Sequence, residues 1–287
     1  PQPSLFMDIS PLCYTKSQGG LFALAFHPDY RSNRLLYASY LADNPRPGPR
    51  GMKFKIVVSE FRSDGTKVDP ASRRTVIEIP KVNAQHGAGC IRFGPTDKLL
   101  YLGVGDGNVP GSDKMPKHPS QNAAVSLGKI LRIDPTGRQP GKGYSIPQGN
   151  PWPNSRGVKP EIWGYGFRNP WRFSWAPNGK MWTLEPGSTG PESREWVKEV
   201  VYGGNHGWPF YAGQQLLYTP PAGPRIVPTL FEYVRGSGGT SAGIGGQVNT
   251  GDRVKALRGK YIFGDFMRGE VYAIDMVPGV GGSTRAG

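Results

Sequence analysis

The feature that most restricts the fold of this 287-residue chain is a recurrence of short apolar runs, each closed by glycine, proline, asparagine or aspartate. No segment carries a convincing helical period. Ser193 to Val201 comes nearest, but its Val197, Val200 and Val201 suit a strand almost as well. Glycine (42 residues) and proline (29) far exceed ordinary usage, yet aromatic residues make up 11% and no tract is of low complexity. The glycines and prolines are therefore turns between strands, which excludes a disordered chain. Their even spread predicts one all-β domain over residues 1–287.

Taken in order, the runs form antiparallel meanders. Leu5 to Ile9 reads as a short strand, followed by strands at Gly20 to Phe26, Arg34 to Tyr40, Lys55 to Phe61 and Arg74 to Ile79. A second group opens with a hairpin, Ile91 to Phe93 and Leu99 to Val104, turning at Gly94-Pro95-Thr96-Asp97, and ends at Leu127 to Asp134. Between them, the polar segment Asn108 to Gln121 is a candidate site wall. The third group takes Ile162 to Tyr165, Arg172 to Trp175, Lys180 to Glu185 and Glu199 to Tyr202; the fourth takes Gly245 to Asn249, Lys260 to Phe263 and Glu270 to Ile274. A spacing of roughly 40–50 residues per group, plus insertions, is that of propeller blades. The prediction is a β-propeller of four-stranded antiparallel blades, with a double-sheet sandwich as the alternative.

Candidate chemistry gathers around the hairpin. His86 precedes its first strand and Asp106 follows its second, so antiparallel pairing brings both to the same end. Each has an ordinary reading as a turn residue in glycine-rich sequence. The glycines beside His86 also let its ring stand free and let a flat ligand approach the backbone.

A formal net charge of +14 implies attraction to anions, either generally or for an acidic glycan, nucleic acid or membrane surface. The basic residues are scattered and no nucleic-acid module accompanies them, so specific nucleic-acid binding is not expected. No apolar run is long enough to span a bilayer, and PQPSLFMDIS has no signal-peptide pattern; the chain is cytosolic or has lost a signal. Cys13 and Cys90 either pair in an oxidising space or are buried thiols.

Seven ordered motifs carry a resemblance: Gly19 to Tyr40 (GGLFALAFHPDYRSNRLLYASY), the His86 to Asp106 unit, Leu127 to Pro135 (LGKILRIDP), Ile146 to Pro153 (IPQGNPWP), Pro160 to Trp175 (PEIWGYGFRNPWRFSW), Gly203 to Pro209 (GGNHGWP) and Leu257 to Asp275. Together they resemble the glucose/sorbosone dehydrogenase family, which includes soluble quinoprotein sugar dehydrogenases and the propellers of hedgehog-interacting proteins. The resemblance implies a six-bladed propeller of which this chain holds about four blades and parts of others, being short at both ends. It implies pyrroloquinoline quinone (PQQ) with calcium as cofactors, a small sugar as substrate, and a secreted, periplasmic or extracellular location. By the same resemblance His86 is the general base, Asp106 orients it, and Arg168 and Asn169 contact the quinone. Gly187 would contact the cofactor, and the backbone carbonyls of Gly187 and Ser188 would hold calcium. Glu195 would hold a structural calcium. Trp163, Trp171, Trp175 and Trp182 are expected in the core rather than as a sugar platform.

Three positions depart from the family pattern. Pro186 stands where a hydrogen-bonding side chain is usual, Trp196 replaces the second of two consecutive acids, and Gly87 replaces asparagine. Two functions from different classes follow: a quinone-dependent sugar dehydrogenase, or a non-catalytic extracellular propeller that binds an acidic glycan or a protein.

Overall fold

The computed structural model describes residues 4–45, 51–109, 118–187, 193–223, 225–235 and 241–275, together with the backbone of 283–285. Four antiparallel four-stranded sheets follow one another along the chain. The first holds β1 (Leu21–Phe26), β2 (Leu35–Asp43), β3 (Phe54–Ser63) and β4 (Val68–Lys81), paired in sequence order. The second holds β5 (Cys90–Phe93), β6 (Leu100–Val104), β7 (Lys129–Ile133) and β8 (Ile162–Tyr165).

The third sheet starts with β9 (Arg172–Trp175), β10 (Met181–Glu185) and β11 (Arg194–Val200). A small hairpin of β12 (Tyr211–Ala212) and β13 (Gln215–Leu216) intervenes before β14 (Thr229–Val234) completes it at its outer edge. The fourth sheet holds β15 (Gly243–Val248), β16 (Tyr261–Asp265), β17 (Glu270–Ile274) and β18 (Ser283–Arg285). The first strands of successive sheets are neighbours, β1 against β5, β5 against β9 and β9 against β15. Sheets standing face to face around their first strands make a β-propeller.

Successive side chains point to opposite faces, and an inner blade is covered on both, so its middle strands are buried almost continuously, as in β2, β6 and β10. Between the first two sheets, Tyr37, Ile56 and Val58 meet Ile91, Leu100, Leu102 and Leu131. Tyr101, Ile130, Phe173 and Met181 fill the next interface, and Leu184, Val197, Tyr261 and Phe263 the one after.

Four expectations are corrected. Ile162–Tyr165 closes the second sheet rather than opening the third, since its β8 pairs with β7. The third sheet instead gains β14, which none of the strands expected from the sequence covers. The strand expected at Glu199 to Tyr202 lies earlier, at Arg194–Val200, so Ser193 to Val201 resolves as strand rather than helix, with Val197 packed towards the fourth sheet and Val200, on the opposite face, towards the second. Leu5 to Ile9 joins no sheet; Phe6, Met7 and Ile9 lie over the outer face of the first sheet, against Leu36, Tyr40 and Val57. Cys13 and Cys90 are both free thiols. No helix among the described residues is long and apolar enough to cross a membrane.

Leu102 is fully buried in β6. Replacing it with alanine should lower the unfolding free energy in urea by about 2–5 kcal/mol, through lost transfer energy and the cavity left behind. Val271→Ala on β17, where the side chain is 50% exposed, should change it by no more than about 0.5 kcal/mol.

Candidate active site

The connections that precede each first strand come together at one end of the propeller. Gln18 lies before β1, His86 before β5, Arg168 and Asn169 before β9, and Ser241 before β15; Asp106, Gly187 and Phe266 follow the second strands and return to the same end. They line a cavity of about 1000 Å³. His86, Asp106, Arg168, Asn169 and Gly187, far apart in sequence, therefore share one space. Ser188 lies outside the described residues.

His86 adopts a left-handed backbone, φ 53°, uncommon for a side chain other than glycine or asparagine. The turn is held from several sides. The Lys81 ammonium donates to the carbonyls of Gln85 and His86, the latter at 2.9 Å, and the His86 N–H donates to Gln18 Oε1 at 3.1 Å. Gly87 and Gly89 pass between aromatic rings: a Cβ on the first would lie 2.5 Å from Phe22, and on the second 2.3 Å from Trp171. The Gly87 departure is therefore required by packing. An asparagine there would overlap the Phe22 ring.

Asp106 organises the polar floor. Its Oδ1 lies 2.6 Å from His86 Nδ1 and accepts the Asn108 N–H at 2.9 Å, while Oδ2 accepts the Trp208 indole N–H at 2.9 Å. His118 Nε2 is 3.7 Å from the same oxygen. Burial alone would push the Asp106 carboxyl up, but the hydrogen bond and charge of His86, with Arg168, hold it well below the usual carboxylate range, at about 2. An ionised Asp106 assigns the His86 proton to Nδ1 and leaves Nε2 as the basic nitrogen. Burial lowers the His86 pKa from its ordinary 6.5, an effect that Asp106 opposes and the charges of Arg168 and Lys81 reinforce.

Glu185 anchors the next wall. Fully buried at the end of β10, its Oε2 accepts the main-chain N–H groups of Arg168 (2.6 Å) and Asn169 (3.0 Å), and its Oε1 accepts the Trp196 indole N–H (3.2 Å). Burial pushes this carboxyl up to about 7. Trp196, which reads in sequence as a lost acid, is thus a donor that steadies the carboxylate holding Arg168. The Arg168 guanidinium lies over the Trp208 ring, 5.5 Å from its centre, and donates to the Pro186 carbonyl at 2.9 Å. Asn169 Oδ1 is buried without a hydrogen-bond partner.

The calcium expectations meet a different donor set. The Gly187 carbonyl accepts from Arg235 at 3.3 Å, and the Pro186 carbonyl from Arg168. Glu195 is fully buried, accepts the N–H groups of Gly187 (3.2 Å) and Gly243 (2.8 Å), and pairs with Arg235 Nε at 3.2 Å. Guanidinium groups already occupy the environment a divalent cation would need. Among the described residues no group of three or more histidine, cysteine or acidic side chains could hold a metal ion.

Of the tryptophans expected in the core, Trp182 is buried, whereas Trp171 borders the cavity. Sequence reasoning missed His118, Trp208, Glu185 and Lys81 as site residues. Trp208 lay within the quoted GGNHGWP motif, and His118 within the loop proposed as a wall; nothing local marked either side chain.

The glucose / sorbosone dehydrogenase family profile matches residues 6–283. The chain belongs to this family. Curated relatives include the HIPL1 protein of Arabidopsis thaliana, 27% identical over 98% of this chain and 47% of that protein. The hedgehog-interacting protein of Mus musculus is 28% identical over 91% and 36%, and quinoprotein glucose dehydrogenase B of Acinetobacter calcoaceticus 30% over 68% and 41%. The chain thus spans less than half the length of each of these relatives. Among solved structures, the apo-form soluble aldose sugar dehydrogenase of Escherichia coli superposes with TM-score 0.75 at 24% identity, covering 99% of this chain and 76% of that one. The PQQ-bound aldose sugar dehydrogenase of Streptomyces coelicolor gives 0.69 at 22%, over 96% and 69%. These two likenesses establish a shared fold.

Asp106→Asn should destabilise the protein by about 2–3 kcal/mol, because buried donors lose a charged acceptor. The sign with pH follows from a carboxyl lowered on folding: the difference is full above the ordinary value of 3.8 and disappears as pH falls through about 2. Urea unfolding of both proteins across that range measures it.

Proposed function

We propose that the cavity is the site of quinone-dependent oxidation of an aldose sugar or related polyol, with His86 as general base. The observation that carries this reading is the His86–Asp106 pair on the cavity wall, at 2.6 Å, an arrangement in which an ionised Asp106 favours the proton on Nδ1 and leaves Nε2 as the basic nitrogen. Family membership supports it.

The residues present fit an anionic, flat, aromatic cofactor such as PQQ. Arg168 supplies a fixed positive charge, Trp208 an aromatic face, and Asn169 Oδ1 an unused acceptor for a ring N–H or hydroxyl. When bound, the quinone would accept the hydride leaving the sugar's anomeric carbon. His86 Nε2 takes the proton of the anomeric hydroxyl, and Asp106 offsets the charge that develops on the imidazole. Trp208 and the Asn108 N–H keep Asp106 in place during that transfer, and Glu185 keeps the Arg168–Asn169 segment in register. The donor set around Gly187 and Glu195 does not fit calcium, and no step runs through a metal.

A second reading has its own observation. Guanidinium groups of Arg168 and Arg235 close on the Pro186 and Gly187 carbonyls, and Arg172 adds a third positive side chain to the lining. A propeller that lost the chemistry would present this basic cavity to an acidic glycan or a protein partner; a hedgehog-interacting protein is among the relatives. A secreted, periplasmic or extracellular location accompanies either reading.

Titration with PQQ, with and without calcium, followed by dye reduction across a panel of aldoses, separates the two. The dehydrogenase reading expects saturable binding and sugar-dependent reduction that His86→Ala abolishes. Absence of quinone binding, with retention on an acidic glycan at moderate ionic strength, overturns it. Because burial lowers the His86 pKa, kcat/KM should hold at neutral pH and fall only below the ordinary histidine value of 6.5. A pH–rate profile checks this.

A further inference from the structure

Three lysines are sealed inside the protein: Lys81 and Lys129 are 0% exposed and Lys198 is 2% exposed. Among the described residues their ammonium groups donate to main-chain carbonyls and make no carboxylate ion pair. Lys81 holds Gln85 and His86; Lys129 holds Pro119 (2.8 Å), Ser120 (3.0 Å) and Leu127 (2.8 Å); Lys198 holds His206 (2.6 Å) and Val227 (3.2 Å). Those carbonyls belong to four connections, His206 and Val227 lying on either side of the β12–β13 hairpin. Three of the connections each deliver one side chain to the Asp106 carboxylate: His86 after β4, His118 after β6 and Trp208 after β11.

Burying an ammonium without a carboxylate partner is costly, so apolar packing alone does not account for three such groups. We propose that the buried lysines are the positioning groups of the Asp106 cluster, and that Lys81 sets both the orientation and the basicity of His86. Two consecutive carbonyls directed at one ammonium fix the left-handed turn at His86, which would otherwise relax towards the ordinary right-handed regions. The same positive charge disfavours the imidazolium. The charged groups acting on the ring are Asp106, which favours the imidazolium, and Arg168 and Lys81, which oppose it; His118 stands beyond Asp106.

The inference gives the base of the proposed reaction its support, but its readout is the imidazole itself, so it is decided whether or not sugar is oxidised. Imidazole resonances would be followed by NMR in histidine-labelled protein, with His86 assigned by His86→Gln, for wild type, Lys81→Met and Lys129→Met. In Lys81→Met the His86 ring should titrate at higher pH than in wild type, and the Nδ1 proton shared with Asp106 should broaden or vanish. In Lys129→Met the His118 ring should move while the His86 Nδ1 proton persists.

Should Lys81→Met not fold, Lys81→Gln, which keeps a donor for the two carbonyls but carries no charge, takes its place, and its His86 ring should likewise titrate at higher pH than in wild type. A folded Lys81→Met or Lys81→Gln with the wild-type ring pKa and Nδ1 proton would overturn the proposal. Loss of dye reduction in His86→Ala tests the base assignment separately.

Discussion

The buried carboxylate of Asp106 is the interaction on which the candidate site depends. An ionised carboxylate away from water is tolerable only when donors and positive charge surround it. The donors come from distant parts of the chain: His86 after β4, Asn108 after β6, and Trp208 beyond β11. The second sheet therefore cannot form this floor alone. Sheet packing brings the loops to one end, and the carboxylate then selects the loop conformations that bring N–H groups to it.

The strands were legible because their signal is local. Period-two alternation and turn residues marked most of the first sheet and the hairpin of the second to within a few residues. Sheet membership was not local. Nothing in IWGY says whether Ile162–Tyr165 pairs backwards with β7 or forwards with β9, and β14, half-buried throughout, sits beyond a hairpin in proline- and glycine-rich sequence. Ser193 to Val201 was ambiguous for a related reason: valines spaced three and four apart satisfy a helix, and only pairing with β10 and β14 decides for a strand.

At the site, His86, Asp106, Arg168 and Asn169 were candidates because glycine-rich turns and family resemblance drew attention to them, and they do share one cavity. The groups holding them were illegible. Lysines are ordinarily surface residues, and nothing in the sequence around Lys81 and Lys129, at strand ends, or Lys198, within β11, shows that the folded loops place carbonyls around each ammonium. Trp196 shows the opposite error. In sequence it is an acid that has been lost, whereas in the fold its indole completes the hydrogen bonding of Glu185.

The charge arrangement also explains why the cavity is better suited to an anion than to a divalent cation. The ionised Asp106 has its lone pairs directed at His86, Asn108 and Trp208, and Glu195 is committed to two N–H groups and Arg235. What remains facing the space is the positive edge of Arg168, Arg172 and Arg235 with the neutral Asn169 amide and aromatic rings. A carboxylate-bearing aromatic ligand meets complementary charge there without displacing any existing pair. A calcium ion would have to displace guanidinium groups from carbonyls or share the site with them, and like charges at that separation repel strongly where water is scarce. The Pro186 and Trp196 departures are therefore not isolated losses: they belong to a wall in which arginines have taken the positions of positive charge.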